Sequence, residues 1–262
     1  MSAPFDTPGF APIRPIPQQR IAEKLDEYMS RRDYPAVERH LLYWLEEARQ
    51  GRDLRGALMV RNELVGHYRK TGEREKFEAS AEAALGLLDA LELRDSLSAG
   101  TTYVNIGTAW NAFGENERAL SLFEKARRLY ESGTDVDPGL LGGLYNNMGL
   151  TCAALGRFDE ALHLYERALA QMAGKPNGAL EQAITCLNMA NALEAQLGLE
   201  RAEGRVFELL DRASALLDTP GIPHDGYYAY VCAHCAPTFE YYGYFMDAER
   251  LNAEAERIYA GT

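Results

Sequence analysis

The sequence predicts an all-α protein of stacked helical hairpins, and three observations carry that prediction. Beyond Gln18 no stretch shows the two-residue alternation of apolar and polar positions that a half-buried strand requires. Gly72, Gly114, Gly156 and Gly198 recur every 42 residues, Gly243 follows after 45, and each falls between two amphipathic stretches. The flanking segments also repeat by residue class. Asn105 to Gly114 matches Asn147 to Gly156, and Asn116 to Ala126 runs parallel to Phe158 to Ala168. One hairpin cannot bury its apolar face alone, so successive hairpins must stack.

The elements follow in chain order. The first 17 residues hold five of the eleven prolines, Pro4, Pro8, Pro12, Pro15 and Pro17. Each proline removes a donor and fixes φ, so residues 1–17 read as an extended or disordered arm. If the arm packs on the domain or on a partner, Phe5, Phe10, Ile13 and Ile16 are its apolar anchors. Residues 18–262 read as one domain of six hairpins. Counting back 40 residues from Gly72 reaches Arg32, where Tyr34, Val37, Leu41 and Trp44 fit a degenerate first unit. The second unit places Phe77, Ala81 and Ala84 in its second helix. The fifth places Val206, Leu210 and Ala213 there, with about four residues inserted near its turn. The sixth places Ala248, Asn252 and Ala255, and the polar Asn252 marks it as a terminal unit. Asp137-Pro138 is a helix start, since aspartate caps and proline suits the first turn; Asn177 and Asp225 are the corresponding caps farther on.

In the two best-matched units one pattern is filled by Tyr103, Ile106, Gly107, Trp110, Gly114, Ala119, Phe123 and Ala126, and again by Tyr145, Met148, Gly149, Gly156, Phe158, Ala161, Tyr165 and Ala168. These residues resemble the tetratricopeptide repeat. The family pattern is a bulky residue and a small one in the first helix, a glycine turn, then alanine, an aromatic and alanine in the second. The resemblance covers residues 19–260 and implies a right-handed superhelical solenoid of about six such hairpins. The 42-residue period resembles the kinesin light chain type and some bacterial peptide-sensing regulators.

The same resemblance implies where a ligand would lie, because in such solenoids the first helices line a concave groove. Asn105, Asn147 and Asn188 stand in register, each two residues before the close-packing Gly107, Gly149 or Ala190. In similar proteins an asparagine at this place bonds the backbone of an extended peptide. An amide both donates and accepts, so it suits a peptide unit whatever the side chain. Asn146, Asn111, Thr101 and Thr108 join the candidate face, and His234 falls where Asn105 and Asn147 sit. Val104, Leu150 and Ala154 would supply apolar contacts. The alternative is that these amides bond neighbouring helices or water. A carboxylate clamp of lysines is not expected, because the corresponding face holds Gly143, Asn146, Ile184 and Leu187, with only Arg61, Arg69 and Lys70 nearby.

Cys232 and Cys235 share a helix face with His234 between them, but no second Cys-x-x-Cys completes a zinc site, and their register is that of core residues. Six of the fifteen tyrosines fall within residues 227–244 and read as aromatic core or as a contact surface. There is no Gly-rich phosphate loop, no His-Glu-x-x-His and no Gly-x-Ser-x-Gly, so neither an enzyme nor a cofactor is expected.

Composition narrows the partners. The chain of 262 residues has 27 Lys+Arg against 39 Asp+Glu, a formal net charge of −12, which disfavours nucleic acid and acidic membrane surfaces. No apolar run approaches the roughly 18 to 20 residues of a membrane span, and no signal peptide is visible at Met1. Four cysteines without framework spacing point to a reducing, cytoplasmic setting. The function expected is a scaffold or adaptor that binds a peptide or protein segment in the groove. A peptide-sensing regulatory module and a self-assembling structural protein, a homo-oligomer through its tyrosines, are the alternatives.

Overall fold

The computed structural model describes residues 11–175 and 178–261. Among them are twelve α-helices and no strand. In order they are α1 (Gln18–Ser30), α2 (Tyr34–Gln50), α3 (Leu54–Thr71), α4 (Arg74–Ala90), α5 (Leu97–Ala112), α6 (Asn116–Ser132), α7 (Pro138–Ala154), α8 (Phe158–Met172), α9 (Gly178–Leu197), α10 (Leu199–Leu217), α11 (Gly226–Tyr241) and α12 (Phe245–Tyr259). Consecutive pairs form six hairpins of an all-α repeat solenoid. The chain divides into two compact units, Met1–Leu129 and Tyr130–Thr262, and each is described by itself.

The turn inside each hairpin explains the glycine period. Gly72, Gly114, Gly156 and Gly243 take φ of 76°, 78°, 74° and 85°, and the next N–H reaches back to the carbonyl five residues earlier at 2.8–2.9 Å. This closure satisfies carbonyls that a helix end would otherwise orphan, and its left-handed residue is cheapest as glycine. The first hairpin closes the same way with Arg32 at φ 54°, and Asp33 N–H donates to the Tyr28 carbonyl at 3.0 Å. Gly198 differs. α9 runs for 20 residues and α10 for 19, so the residues that appear inserted in sequence lengthen helices, and Gly198 alone joins them.

Four of the first helices are capped by side chains, and four of the second helices make no such bond. Asp53, Ser96, Asp137 and Asp225 accept the N–H groups that open α3, α5, α7 and α11. Asp137 with Pro138 at the first turn is as expected, and Asp225 accepts from Tyr227 and Tyr228. The capping expected of Asn177 lies outside the described residues. α4, α8, α10 and α12 start without a side-chain cap bond.

In the first unit Ile21, Val37, Leu41, Val60, Leu64, Phe77 and Ile106 are fully buried in one cluster. Of the arm, Ile13 and Arg14 donate their N–H groups to the Gly51 carbonyl at 2.9 and 3.1 Å, and Ile16 N–H donates to Asp53 Oδ2 at 2.9 Å. Ile16 is buried, whereas the Ile13 side chain remains 72% exposed. Phe5 and Phe10 lie outside the described residues. In the second unit Tyr145, Met148, Tyr165, Val206, Leu210, Cys232, Cys235 and Phe239 fill the interior. Gly149 lets α7 approach Tyr165, and Gly107 does the same for Phe123 in the first unit. No helix among the described residues is long and apolar enough to cross a membrane.

Candidate functional site

In the first unit the candidate face is carried by α3 and α5. Asn105 Nδ2 donates to Asn62 Oδ1 at 3.2 Å. Asn62 Nδ2 donates onward to Thr102 Oγ1 at 3.1 Å and to its own helix at the Leu58 carbonyl, 3.0 Å away. Thr102 is buried and gives its proton to the Ser98 carbonyl at 2.9 Å. Asn62 is thereby committed to joining two helices. Asn105 has spent one donor, and its Oδ1 and second N–H carry no further bond among the described residues. Asn105 and Thr101 line a cavity of about 380 Å³ that Arg55, Asn62, Glu63 and Ser98 also face. The surrounding protein, with Asp26, pushes the Glu63 carboxyl above its usual range. Thr108 is turned back onto the Val104 carbonyl at 2.8 Å, and Asn111 reaches across the hairpin turn to Asn116 Oδ1 at 3.0 Å. Neither of those two lines the cavity.

The second unit repeats the amide pair. Asn188 Nδ2 donates to Asn146 Oδ1 at 3.1 Å, and Thr185 Oγ1 lies 3.2 Å from the same oxygen. The donor again stands two residues before a close-packed small residue, and the acceptor three residues before the small residue of the preceding hairpin. The bond therefore supports the register of Asn188 with Asn105. Asn147 is half-buried on α7 beside Asn146, and its carbonyl accepts from Thr151 at 2.9 Å.

His234 is exposed on α11, stacked on Tyr230 at 5.9 Å between ring centres, and Tyr230 stacks on Tyr227 at 6.2 Å. The rings packed beside it partly desolvate the imidazole and lower its pKa, which favours the neutral form. The tyrosine cluster divides. Tyr228 and Tyr242 are buried, whereas Tyr227, Tyr230 and Tyr241 are exposed. Hydroxyls of Tyr227, Tyr241, Tyr242 and Tyr244 are tied to Glu181, Glu194, Glu194 and Asp211 respectively. Cys232 and Cys235 are fully buried, and burial raises both thiol pKa values, which disfavours the thiolate.

Three further side chains converge in the first unit. Ligand-type atoms of Glu38, His67 and Glu73 all lie within 4.8 Å of one another. Lys76 Nζ already reaches Glu38 at 2.8 Å and Glu73 at 2.5 Å, so an ammonium supplies the cation both carboxylates need. Sequence spacing did not reveal this cluster, because its members come from three helices and a turn.

Comparisons with known proteins agree with this architecture. Models of the tetratricopeptide repeat family match residues 100–132 and 143–174. The structure of BtubC (BKLC) from P. vanneervenii superposes with a TM-score of 0.58 at 18% identity, covering 88% of this chain and 91% of that one. Nearly identical TPR-like repeats of a kinesin light chain-type protein of Podosopora anserina superpose with a TM-score of 0.51 at 18% identity, covering 78% and 95%. No curated protein matches the chain. At this identity the structural likeness shows the fold, which is the fold the glycine period and the paired helices already require. Repeats of this kind generally mediate protein–protein interaction or scaffolding. The chain thus carries tetratricopeptide repeats at residues 100–132 and 143–174.

Proposed function

We propose that this protein is an interaction scaffold that holds an extended peptide segment of a partner against the face of its first helices. One observation carries the reading. In both units an asparagine amide is oriented by a partner amide from the preceding first helix, and keeps a donor and an acceptor without a protein bond among the described residues. A fixed amide of this kind matches the N–H and C=O of a peptide backbone and loses little freedom on binding. In the first unit Asn105 is the principal contact, with Thr101 beside it; in the second Asn147 and Asn188 are, and the His234 ring adds a stacking surface. Asn146 serves by positioning Asn188.

The test is selection of binders from a random peptide library, followed by affinity measurement on wild type and on the Asn105→Ala/Asn147→Ala variant. Each lost amide contact costs about 1–3 kcal/mol, so the pair weakens binding about thirtyfold or more. The variant's thermal midpoint should stay within a few degrees of wild type. Equal affinity of both proteins for every selected peptide would overturn the reading.

A further inference from the structure

A second opening lies in the first unit on a different face of α3. It has a volume of about 740 Å³, inside the roughly 300–1,000 Å³ span of small-molecule sites, and is walled by α2, α3, α4 and the arm. Ile13, Leu42, Leu45, Ala57, Ala83 and Leu87 supply hydrocarbon, and no aromatic side chain lines it. Leu42 is 45% exposed there, and Ile13 is more so. A bound apolar body would take both out of water.

Of the charged groups of this cavity, the acids and Arg49 are paired, whereas Arg61 and Arg52 have no carboxylate partner among the described residues. Glu46 is held by Arg49 at 2.6 Å and by Gln50 at 2.9 Å. Both Asp53 oxygens are taken by the backbone N–H groups of Ile16 and Gly56. Arg61 is half-buried, has no carboxylate partner among the described residues, and meets only Ser80 Oγ, 3.5 Å from its Nη1. Burial accordingly depresses its pKa from the usual arginine value. Arg52 also lines the cavity and forms no ion pair among the described residues. In a chain with twelve more acids than bases, a half-buried guanidinium without a counter-ion points to an anion from outside. Both wall carboxylates are already engaged by N–H groups, so the wall offers a peptide few acceptors. A peptide would therefore bring amides that go unsatisfied, whereas an alkyl chain brings none.

We propose that this cavity binds an aliphatic carboxylate of the fatty-acid class, its carboxylate on Arg61 and its chain along Leu42, Leu45, Ala83 and Leu87. This site is separate from the asparagine face and does not depend on the peptide reading. The probe is dodecanoate, titrated calorimetrically into the full chain beside decanoate, methyl dodecanoate and dodecanol. Dodecanoate binds one to one, and each added methylene tightens binding about fourfold. Replacing the acid by its ester, or Arg61→Met, weakens binding about ten- to a hundredfold, while Arg61→Lys keeps part of it. Ala83→Trp, which fills the cavity from a half-exposed helix position, abolishes binding and leaves the circular dichroism unchanged. Equal binding of acid and ester, or an unchanged affinity in Ala83→Trp, would overturn the proposal. So would absence of binding to the full chain, including the case in which deleting residues 1–10 restores it and assigns the cavity to the chain's own first residues. A short apolar peptide that displaces dodecanoate at lower concentration would overturn it in favour of a peptide.

Discussion

Two glycines in one helix should respond to the same substitution with opposite signs. A Cβ built on Gly149 would stand 2.5, 2.7 and 2.9 Å from three ring carbons of Tyr165, whereas one on Gly143 would meet nothing within 4 Å. Tyr165 is fully buried, so its ring cannot swing into solvent to relieve the overlap. Overpacking of this kind costs about 1–3 kcal/mol, against about 0.5–1 kcal/mol gained when alanine replaces glycine inside a helix. Gly149→Ala should therefore destabilise by about 1–2 kcal/mol, and Gly143→Ala should stabilise by about 0.5–1 kcal/mol. The assay is urea unfolding followed by far-UV circular dichroism, with the midpoint shifting at constant slope. Gly107→Ala, whose Cβ would meet Phe123 at 2.6 Å, should behave like Gly149→Ala in the other unit. A Gly149→Ala protein as stable as wild type would refute the argument that close helix approach fixes these positions.

Three other perturbations follow from the same structure. Arg32 stands in the left-handed region at φ 54° where the other hairpins place glycine, so Arg32→Gly should raise stability by about 0.5–1 kcal/mol in the same urea assay. Asp53→Ala removes the helix cap on Gly56 and the acceptor of Ile16 N–H, costing about 2–3 kcal/mol and speeding proteolysis near residues 13–17. His67 is buried, its Nδ1 has no partner among the described residues, and burial holds its pKa below 6.5. Its neutral form is thus the folded one, and its contribution is intact above pH 6.5 and lost as pH falls through the lower folded value. Glu38 and Glu73 stay charged through that window because Lys76 lowers both. The stability difference between wild type and His67→Phe should therefore shrink from pH 7 towards pH 5; a difference independent of pH would contradict the assignment.

The repeat frame was legible because it rests on local chemistry. A left-handed turn needs glycine, a close crossing needs glycine or alanine, and both leave a mark every 42 residues. Asp137-Pro138 and Asp225 were legible as caps for the same reason. What sequence could not show was direction and partnership. It set Asn105 and Asn188 in register and added Asn146 to the same face, yet Asn146 Oδ1 is engaged in joining helices, whereas Asn105 and Asn188 each spend one donor and retain capacity. Arg61 read as a cation near the asparagine face, but its helix position turns it towards α2 and α4. Ile13 and Ile16 looked alike as anchors, and only Ile16 is drawn into the core, because Asp53 captures its N–H. Such outcomes depend on bonds between residues 37 to 43 positions apart, which no local pattern encodes.

The central claim is that asparagine amides of the first helices recognise peptide backbone. The most direct measurement is the affinity of a library-selected peptide and of its singly N-methylated analogues, which keep every side chain but lose one N–H at a time. The account predicts that methylation at one or more central positions weakens binding to wild type about tenfold or more, and that Asn105→Ala/Asn147→Ala is weaker overall and indifferent to the methyl group. Equal affinity of methylated and unmethylated peptides for wild type would contradict it.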